Sequence, residues 1–186
     1  MSLAIAILAA GGARRFGGGK VDAMLSGKPL GQWALDAALS VPHERLAVVV
    51  GEPAPEFARG CDRLVNERAA EGLGTSAAVA ARWAQGSDAL LIMLADMPLI
   101  SPGTLRKLAA AEGAAAVVYP GNTPGAPARF PAAVFEALEA LSGDTGAAQV
   151  LRGLADVSLI ETPAEELRDV DRPEDLAEVA EFLRAR

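Results

Sequence analysis

Hydrophobic positions in this chain come in short bursts separated by polar, glycine and proline punctuation. Residues 3–9 form a continuous apolar run, 46–50 a β-branched run ending at Gly51, 89–95 the most hydrophobic run of all, and 114–119 a further one. Short apolar runs bounded by turn residues predict strands buried on both faces, as in a parallel sheet. Lesser runs at 63–66, 157–160 and 167–170 predict shorter strands. Between them apolar residues recur at helical spacing. Residues 31–40 carry Trp33, Ala34, Ala37 and Ala38 in that register, with Trp33 read as core. A second helix opens at Gly72 and runs through Ala84, with Thr75 or Ser76 able to cap it. Pro102 opens another, to about residue 111. Residues 131–141 and 147–154 predict two more, separated by a turn at 143–146. Pro173 starts a last helix, with Leu176, Val179, Ala180 and Leu183 on one face and Glu174 and Asp175 at its positive end. Residues 120–131 hold four prolines and two glycines and are expected to be a long loop.

Strands alternating with helices predict a three-layer α/β fold around a doubly wound, mainly parallel sheet. The chain has 186 residues, 51% of them hydrophobic, which suffices for one sizeable core. No linker, repeat or low-complexity tract divides it, so residues 1–186 are expected to form one domain. The formal net charge of −7 disfavours a nucleic-acid-coating role. That charge is uneven, about +2 over residues 1–50 and −5 over 161–186. An anionic ligand prefers the first segment and a cation the second. Cys61 is the sole cysteine, which excludes an internal disulfide and a thiolate metal site. His43, the sole histidine, sits beside Pro42 and reads as a loop residue. No apolar run reaches the ~18–20 residues of a membrane span. No targeting segment is evident at the start, so a cytoplasmic location is expected.

The composition matters most between the first strand and the first helix. Residues 8–20 hold five glycines, Arg14, Arg15 and Lys20 directly after a buried strand. Strands of a parallel sheet deliver such loops to their carboxyl edge, where ligands bind. Glycines let backbone N–H groups converge on an anion, and Arg15 and Lys20 add mobile cations. The stretch reads as a phosphate cradle or as a plain flexible turn. It is not a P-loop, because no Ser or Thr follows Lys20, and the dinucleotide-binding glycine spacing fails at Gly11 and Gly12.

The same stretch resembles the opening signature of the MobA-like nucleotidyltransferases. That family writes Leu-Ala-Ala/Gly-Gly-x-Ser-x-Arg-Met-Gly-x-x-Lys and then Gly-x-Pro-Leu. Leu8, Ala9, Ala10, Gly11, Arg15, Gly17, Lys20, Gly27, Pro29 and Leu30 match in register, while Ala13, Phe16, Asp22 and Met24 depart from it. The resemblance implies the nucleotide-diphospho-sugar-transferase-like fold. It also implies transfer of a nucleoside monophosphate from a nucleoside triphosphate to a phosphorylated small-molecule acceptor such as molybdopterin, with release of pyrophosphate.

Asp96 ends the most hydrophobic run, beside Met97 and Pro98, where a carboxylate reads equally as a ligand for Mg²⁺ or as a turn residue. The resemblance makes it the metal aspartate. Asp171 follows within Asp169-Val170-Asp171-Arg172-Pro173-Glu174-Asp175-Leu176, which resembles the family's Asp-x-Asp-Thr-Pro-Glu-Asp-Leu; it is the second expected ligand, ahead of Asp169. Arg15, Lys20 and Asp96 are the expected catalytic residues, and Mg²⁺ or Mn²⁺ the expected cofactor. Ala10, Gly11, Gly12, Asn66, Gly74 and Ser76 are expected around the nucleotide, and residues 125–130 and 143–146 on the acceptor side. Ala148 stands where molybdopterin cytidylyltransferases usually carry arginine. Ala10 matches the cytidylyl-transferring form of the motif, which implies CTP over GTP. The alternatives are a non-catalytic nucleotide-binding member and a sugar- or alcohol-phosphate nucleotidyltransferase. A metal-dependent glycosyltransferase is disfavoured, because Asp96-Met97-Pro98 lacks a second acid.

Overall fold

The computed structural model describes residues 1–12 and 15–185. The departure at Ala13 and the cation of Arg14 lie outside the described residues. In chain order the elements are β1 (Leu3–Leu8), β2 (Met24–Leu25), β3 (Lys28–Pro29), α1 (Leu30–Leu39), β4 (Arg45–Val50), β5 (Asp62–Val65), α2 (Leu73–Trp83), β6 (Ala89–Leu94), α3 (Pro102–Ala110), β7 (Ala114–Tyr119), β8 (Thr123–Pro131), α4 (Phe135–Glu139), α5 (Ala148–Arg152), β9 (Val157–Ile160) and α6 (Asp175–Arg184). Seven strands form one sheet in the order β5-β4-β1-β6-β8-β7-β9. Only β8 runs against its neighbours, so the sheet is mainly parallel.

Every residue of β1 is buried, because the strand is flanked by β4 and β6 and covered on both faces. Ile5, Ile7, Val48, Val50, Leu91 and Met93 pack on one face with Leu35 and Ala38 of α1 and Leu105 and Leu108 of α3. Ala4, Ala6, Leu8, Leu90 and Ile92 pack on the other with Ala77, Ala80 and Ala81 of α2 and Phe135 and Leu138 of α4. This period-two division between faces follows from strand geometry. A third cluster joins Leu25, Leu30, Leu99, Val170 and Val179, and it seats α6 over the segment that carries Asp171. No helix of the described residues is long and apolar enough to cross a membrane.

Two segments differ from the sequence expectation. Residues 123–131 are a sheet strand rather than part of a long loop. The prolines are placed where the ladder loses least. Pro131 ends the strand, Pro124 lies near the turn, and Pro127 falls where the β7–β8 register shifts between Ala116 and Val117. A proline is tolerated at strand ends and bulges because no ladder hydrogen bond is asked of it there. Residues 167–170 are not a strand. A 3₁₀ turn spans Ala164–Leu167, and the Val170 N–H donates to the Asp96 carbonyl at 3.0 Å rather than into the sheet.

Candidate active site

The chain leaves β1 for β4 on one side and returns across it to β6 on the other, which makes the β1–β6 junction the switch point of the sheet. The glycine loop follows β1 there and Asp96 follows β6 within two residues. The two are joined by charge. Lys20 Nζ donates to Asp96 Oδ2 at 2.6 Å and lies 3.6 Å from Asp171 Oδ1, while Arg15 reaches Asp171 Oδ2 at 3.2 Å. The loop and the C-terminal segment are 156 residues apart in sequence at that last contact. Arg15 keeps 75% of its side chain exposed while it pairs with Asp171. Lys20 keeps 12%, so it is a nearly buried partner of the acids rather than a mobile one.

Asp96, Asp169 and Asp171 each offer a carboxylate oxygen within 4.8 Å of the others. Asp96 Oδ1 is buried and has no hydrogen-bond partner, an arrangement that costs free energy unless a cation or water completes it. Three hard oxygen donors on one point fit a divalent cation of the Mg²⁺ or Mn²⁺ type. Asp169 is held above the ordinary carboxylate range by partial burial first, then by the Asp96 and Asp171 charges. The Tyr119 hydroxyl donates to the Ala126 carbonyl at 3.0 Å, and its pKa is pushed up to about 12 by burial, then by the charges of Asp169 and Asp96. Sequence reasoning ranked Asp169 below Asp171; the Asp-x-Asp spacing was the signal for both.

Asp171 is aimed by its own turn. Asp175 Oδ2 accepts from the N–H groups of Asp171 and Arg172, each at 2.8 Å, and these bonds hold Asp175 below the ordinary range. Asp22, a departure from the usual motif, also has a structural task. Its carboxylate accepts from the N–H of Glu56 at 2.9 Å and of Phe57 at 3.1 Å, capping the 3₁₀ turn Glu56–Ala58 and tying it to the end of the loop.

Two adjoining cavities lie beside the glycine loop. One of about 590 Å³ is lined by Ala10, Gly11, Gly12, Gly51, Glu52, Asn66 and Glu67. The other, about 360 Å³, shares Ala10, Gly11 and Gly12 and adds Leu73, Ser76 and Asp144. The six residues expected around a nucleotide therefore divide. Ala10, Gly11 and Gly12 line both cavities and Ser76 lines one. Asn66 lines the larger, yet its amide is engaged within the protein: Nδ2 donates to Thr75 Oγ1 and Ser76 Oγ, both at 2.9 Å, and Oδ1 accepts from Arg68 N–H at 3.0 Å. Thr75 and Ser76 thus sit inside α2 and bond to Asn66. The helix is capped by Gly72 with no side-chain bond, which corrects the expected hydroxyl cap. Gly74 packs against the turn at 142–145, with its N–H donating to the Gly143 carbonyl at 2.9 Å.

A third cavity, about 220 Å³ and almost wholly apolar, lies between β8 and the turn after residue 143. Leu94, Tyr119, Gly125, Ala126, Phe130 and Ala148 are among its walls. Of the residues expected on the acceptor side, Gly125, Ala126, Ala128, Phe130 and Gly146 line this cavity, Asp144 lines the second cavity instead, and Arg129 lines neither. That side chain is 2% exposed and turns toward the Gly113 carbonyl and Met1 Sδ instead.

The model of the MobA-like NTP transferase domain matches residues 5–159. The chain belongs to the MobA-like NTP transferase family. Across 188 aligned residues it is 33% identical to the purine catabolism protein PucB of Bacillus subtilis, covering 90% of this chain and 91% of PucB. It is 37% identical over 120 residues to the bifunctional protein GlmU of Geobacter metallireducens, where it spans only 25% of the longer protein. A crystal structure of the Mycobacterium tuberculosis Rv0371c homologue from Mycobacterium sp. strain JC1 superposes with a TM-score of 0.82 at 26% identity, covering 99% of this chain and 98% of that one. In this MobA-like chain the family motif runs from β1 through the loop to the first residue of α1, and the family is one of nucleotidyltransferases.

Proposed function

We propose that this chain, acting as one domain, transfers a CMP group from CTP to a phosphate-bearing acceptor such as molybdopterin and releases pyrophosphate. The observation that carries the reading is the meeting of Lys20 with Asp96 and Asp171 at the switch point, beside the glycine-lined cavities. An acceptor phosphate oxygen attacks the α-phosphorus in line, the new P–O bond forms, and pyrophosphate leaves with the electron pair of the broken bond. The nucleophile is already an anion, so no general base is required. Positioning and charge neutralisation supply the rate. Arg15, Lys20 and the amides of Gly11 and Gly12 hold the leaving phosphates. Asp96 and Asp171, with Asp169 beside them, are the residues to hold Mg²⁺ or Mn²⁺, which supplies Lewis-acid stabilisation of phosphate oxygens when bound.

Two features support the finer choices. Glu52 and Glu67 offer acceptors at the larger cavity, suited to a base with an amino group, cytosine and guanine alike, and the choice of the smaller pyrimidine rests on the Ala10 methyl at its wall. One methyl contact is worth only ~1 kcal/mol, so the expected preference for CTP over GTP is modest. The apolar third cavity suits a flat acceptor body, and Ala148 adds no charge to it.

A pyrophosphate-release screen of four nucleoside triphosphates against molybdopterin and a panel of sugar and alcohol phosphates tests the reaction. Release with CTP and molybdopterin is expected. Release only with a sugar or alcohol phosphate replaces the acceptor, and nucleotide binding without release under any condition makes the chain a non-catalytic member. Calorimetric titration of CTP and GTP with Mg²⁺ tests the base, and tighter GTP binding overturns the cytidylyl choice alone.

A further inference from the structure

Asp169 and Asp171 lie on a strap between β9 and α6 that joins neither the sheet nor a long helix. Irregular backbone does not place two carboxylates beside a third unless something fastens it. The fastenings are visible. Glu166 is 7% exposed, the buried acid among the described residues, and its Oε2 accepts from Ser101 N–H at 3.0 Å and from Thr104 Oγ1 at 2.8 Å. Thr104 is itself 4% exposed, and its N–H donates to the Ser101 side chain that caps α3. Four residues further along the strap, Val170 is fully buried and its N–H donates to the Asp96 carbonyl. The segment 96–101 and the segment 166–170 therefore run side by side, bridged at both ends. One bridge is the backbone of Asp96 itself.

From this geometry we infer that Glu166 is a positioning residue: its bridge to Ser101 and Thr104 seats the strap so that Asp169 and Asp171 converge on Asp96. A buried carboxylate is a poor device for stability alone, because an apolar side chain of similar size fills the same space without desolvation. It is a good device for register, because two donors on one oxygen fix where the strap lies. The positive end of α3 offsets part of its cost. The residue lies three positions before Asp169 and hydrogen-bonds to no candidate ligand atom, so its effect passes through the backbone of the strap at Val170. The inference rests on the proposed metal-dependent transfer only in what the positioned acids are for.

The test compares Glu166→Ala, Glu166→Gln and Thr104→Val in the full chain. The readouts are amide hydrogen exchange at Val170 without metal and Mn²⁺ affinity by paramagnetic resonance. Glu166→Ala is expected to speed Val170 exchange and weaken Mn²⁺ binding, each by about tenfold, the scale of one lost hydrogen bond to a charged group. Glu166→Gln keeps a carbonyl oxygen for both donors and is expected to restore both within about threefold, which a role in charge alone would not. Thr104→Val removes one donor and is expected to move both readouts by a smaller factor; it decides the matter if Glu166→Ala does not fold. A folded Glu166→Ala protein with unchanged Val170 exchange and Mn²⁺ affinity overturns the inference, as does a folded Glu166→Gln protein as impaired as Glu166→Ala. If the unaltered chain binds no Mn²⁺, the proposed metal centre fails, and Val170 exchange alone decides the strap.

Discussion

A methyl group added at Gly11, Gly12, Gly17, Gly18 or Gly19 would meet no other atom within 4 Å, whereas one added at Gly72 would lie 2.3 Å from the backbone of Gly143 and one at Gly74 2.6 Å from the Thr145 carbonyl oxygen. Gly11 and Gly12 of the first set and Gly72 of the second line the same cavity. In the first set the missing side chain leaves open space, and three of the five residues have positive φ, so the loop presents bare backbone outward. In the second set the protein itself fills the space: the turn at 142–145 presses against the start of α2 and brings Asp144 to the cavity wall. Glycine-rich sequence therefore has two physical meanings here. One leaves backbone bare beside open space, where an anion is proposed to enter, and the other lets two backbones touch.

The contrast is broken most severely on the side proposed to perform chemistry. Asp96→Asn and Asp171→Asn are each expected to lower the transfer rate ~10²–10³-fold, several kcal/mol of lost charge stabilisation, with the fold intact by circular dichroism. Full activity in Asp171→Asn with loss in Asp96→Asn would reduce Asp171 to a helix-entry residue. Next in size is the packing side. Gly72→Ala, with φ of +128° and a backbone contact of 2.3 Å, is expected to cost about 2–4 kcal/mol of stability by urea denaturation, since neither the strain nor the overlap can relax easily. Gly11→Ala is its counterpart, expected to leave stability within about 0.5 kcal/mol while weakening triphosphate binding, because its methyl meets only what enters the cavity. Equal losses of stability in the two variants would abolish the distinction.

Lys20→Ala is expected to weaken triphosphate binding and turnover by ~10–100-fold in a protein that still folds, as measured by calorimetry and steady-state rates. Unchanged affinity would leave Lys20 as a counter-ion to Asp96 and nothing more. The smallest effect concerns Asp169. Its folded pKa is raised, so the folded state holds its proton more tightly than the unfolded state does. Its contribution to stability therefore falls as pH rises from the ordinary Asp value through the folded one. Asp169→Asn is expected to raise the metal-free melting temperature slightly at pH 7, with the difference closing near pH ~3. A lower melting temperature at pH 7 would show that Asp169 is held by favourable contacts instead.

Local pattern along the chain determined most of the fold and part of the site. The runs that became β1, β4, β6 and β7 are continuous and apolar because both of their faces are covered, and that signal needs no knowledge of neighbours. The glycine loop was equally legible, since its glycines and cations are contiguous residues, and so was the place of Asp96 at the end of the most hydrophobic strand. Tertiary structure decided the rest. Residues 123–131 read as loop because prolines count against strands locally, and only pairing with both β6 and β7 shows that each proline falls at an end or a register shift. Asn66 read as a nucleotide contact and lines the larger cavity, but only the structure shows its Nδ2 bonded to α2, nine and ten residues on. Asp169 joins the acid cluster beside Asp96, 73 residues away, and Glu166 fastens the strap through Ser101 and Thr104, 65 and 62 residues away. Strand burial and a bare-backbone loop are properties of adjacent residues, so sequence displays them. Hydrogen-bond partners and charge clusters are properties of distance in space, and only the folded chain sets those distances.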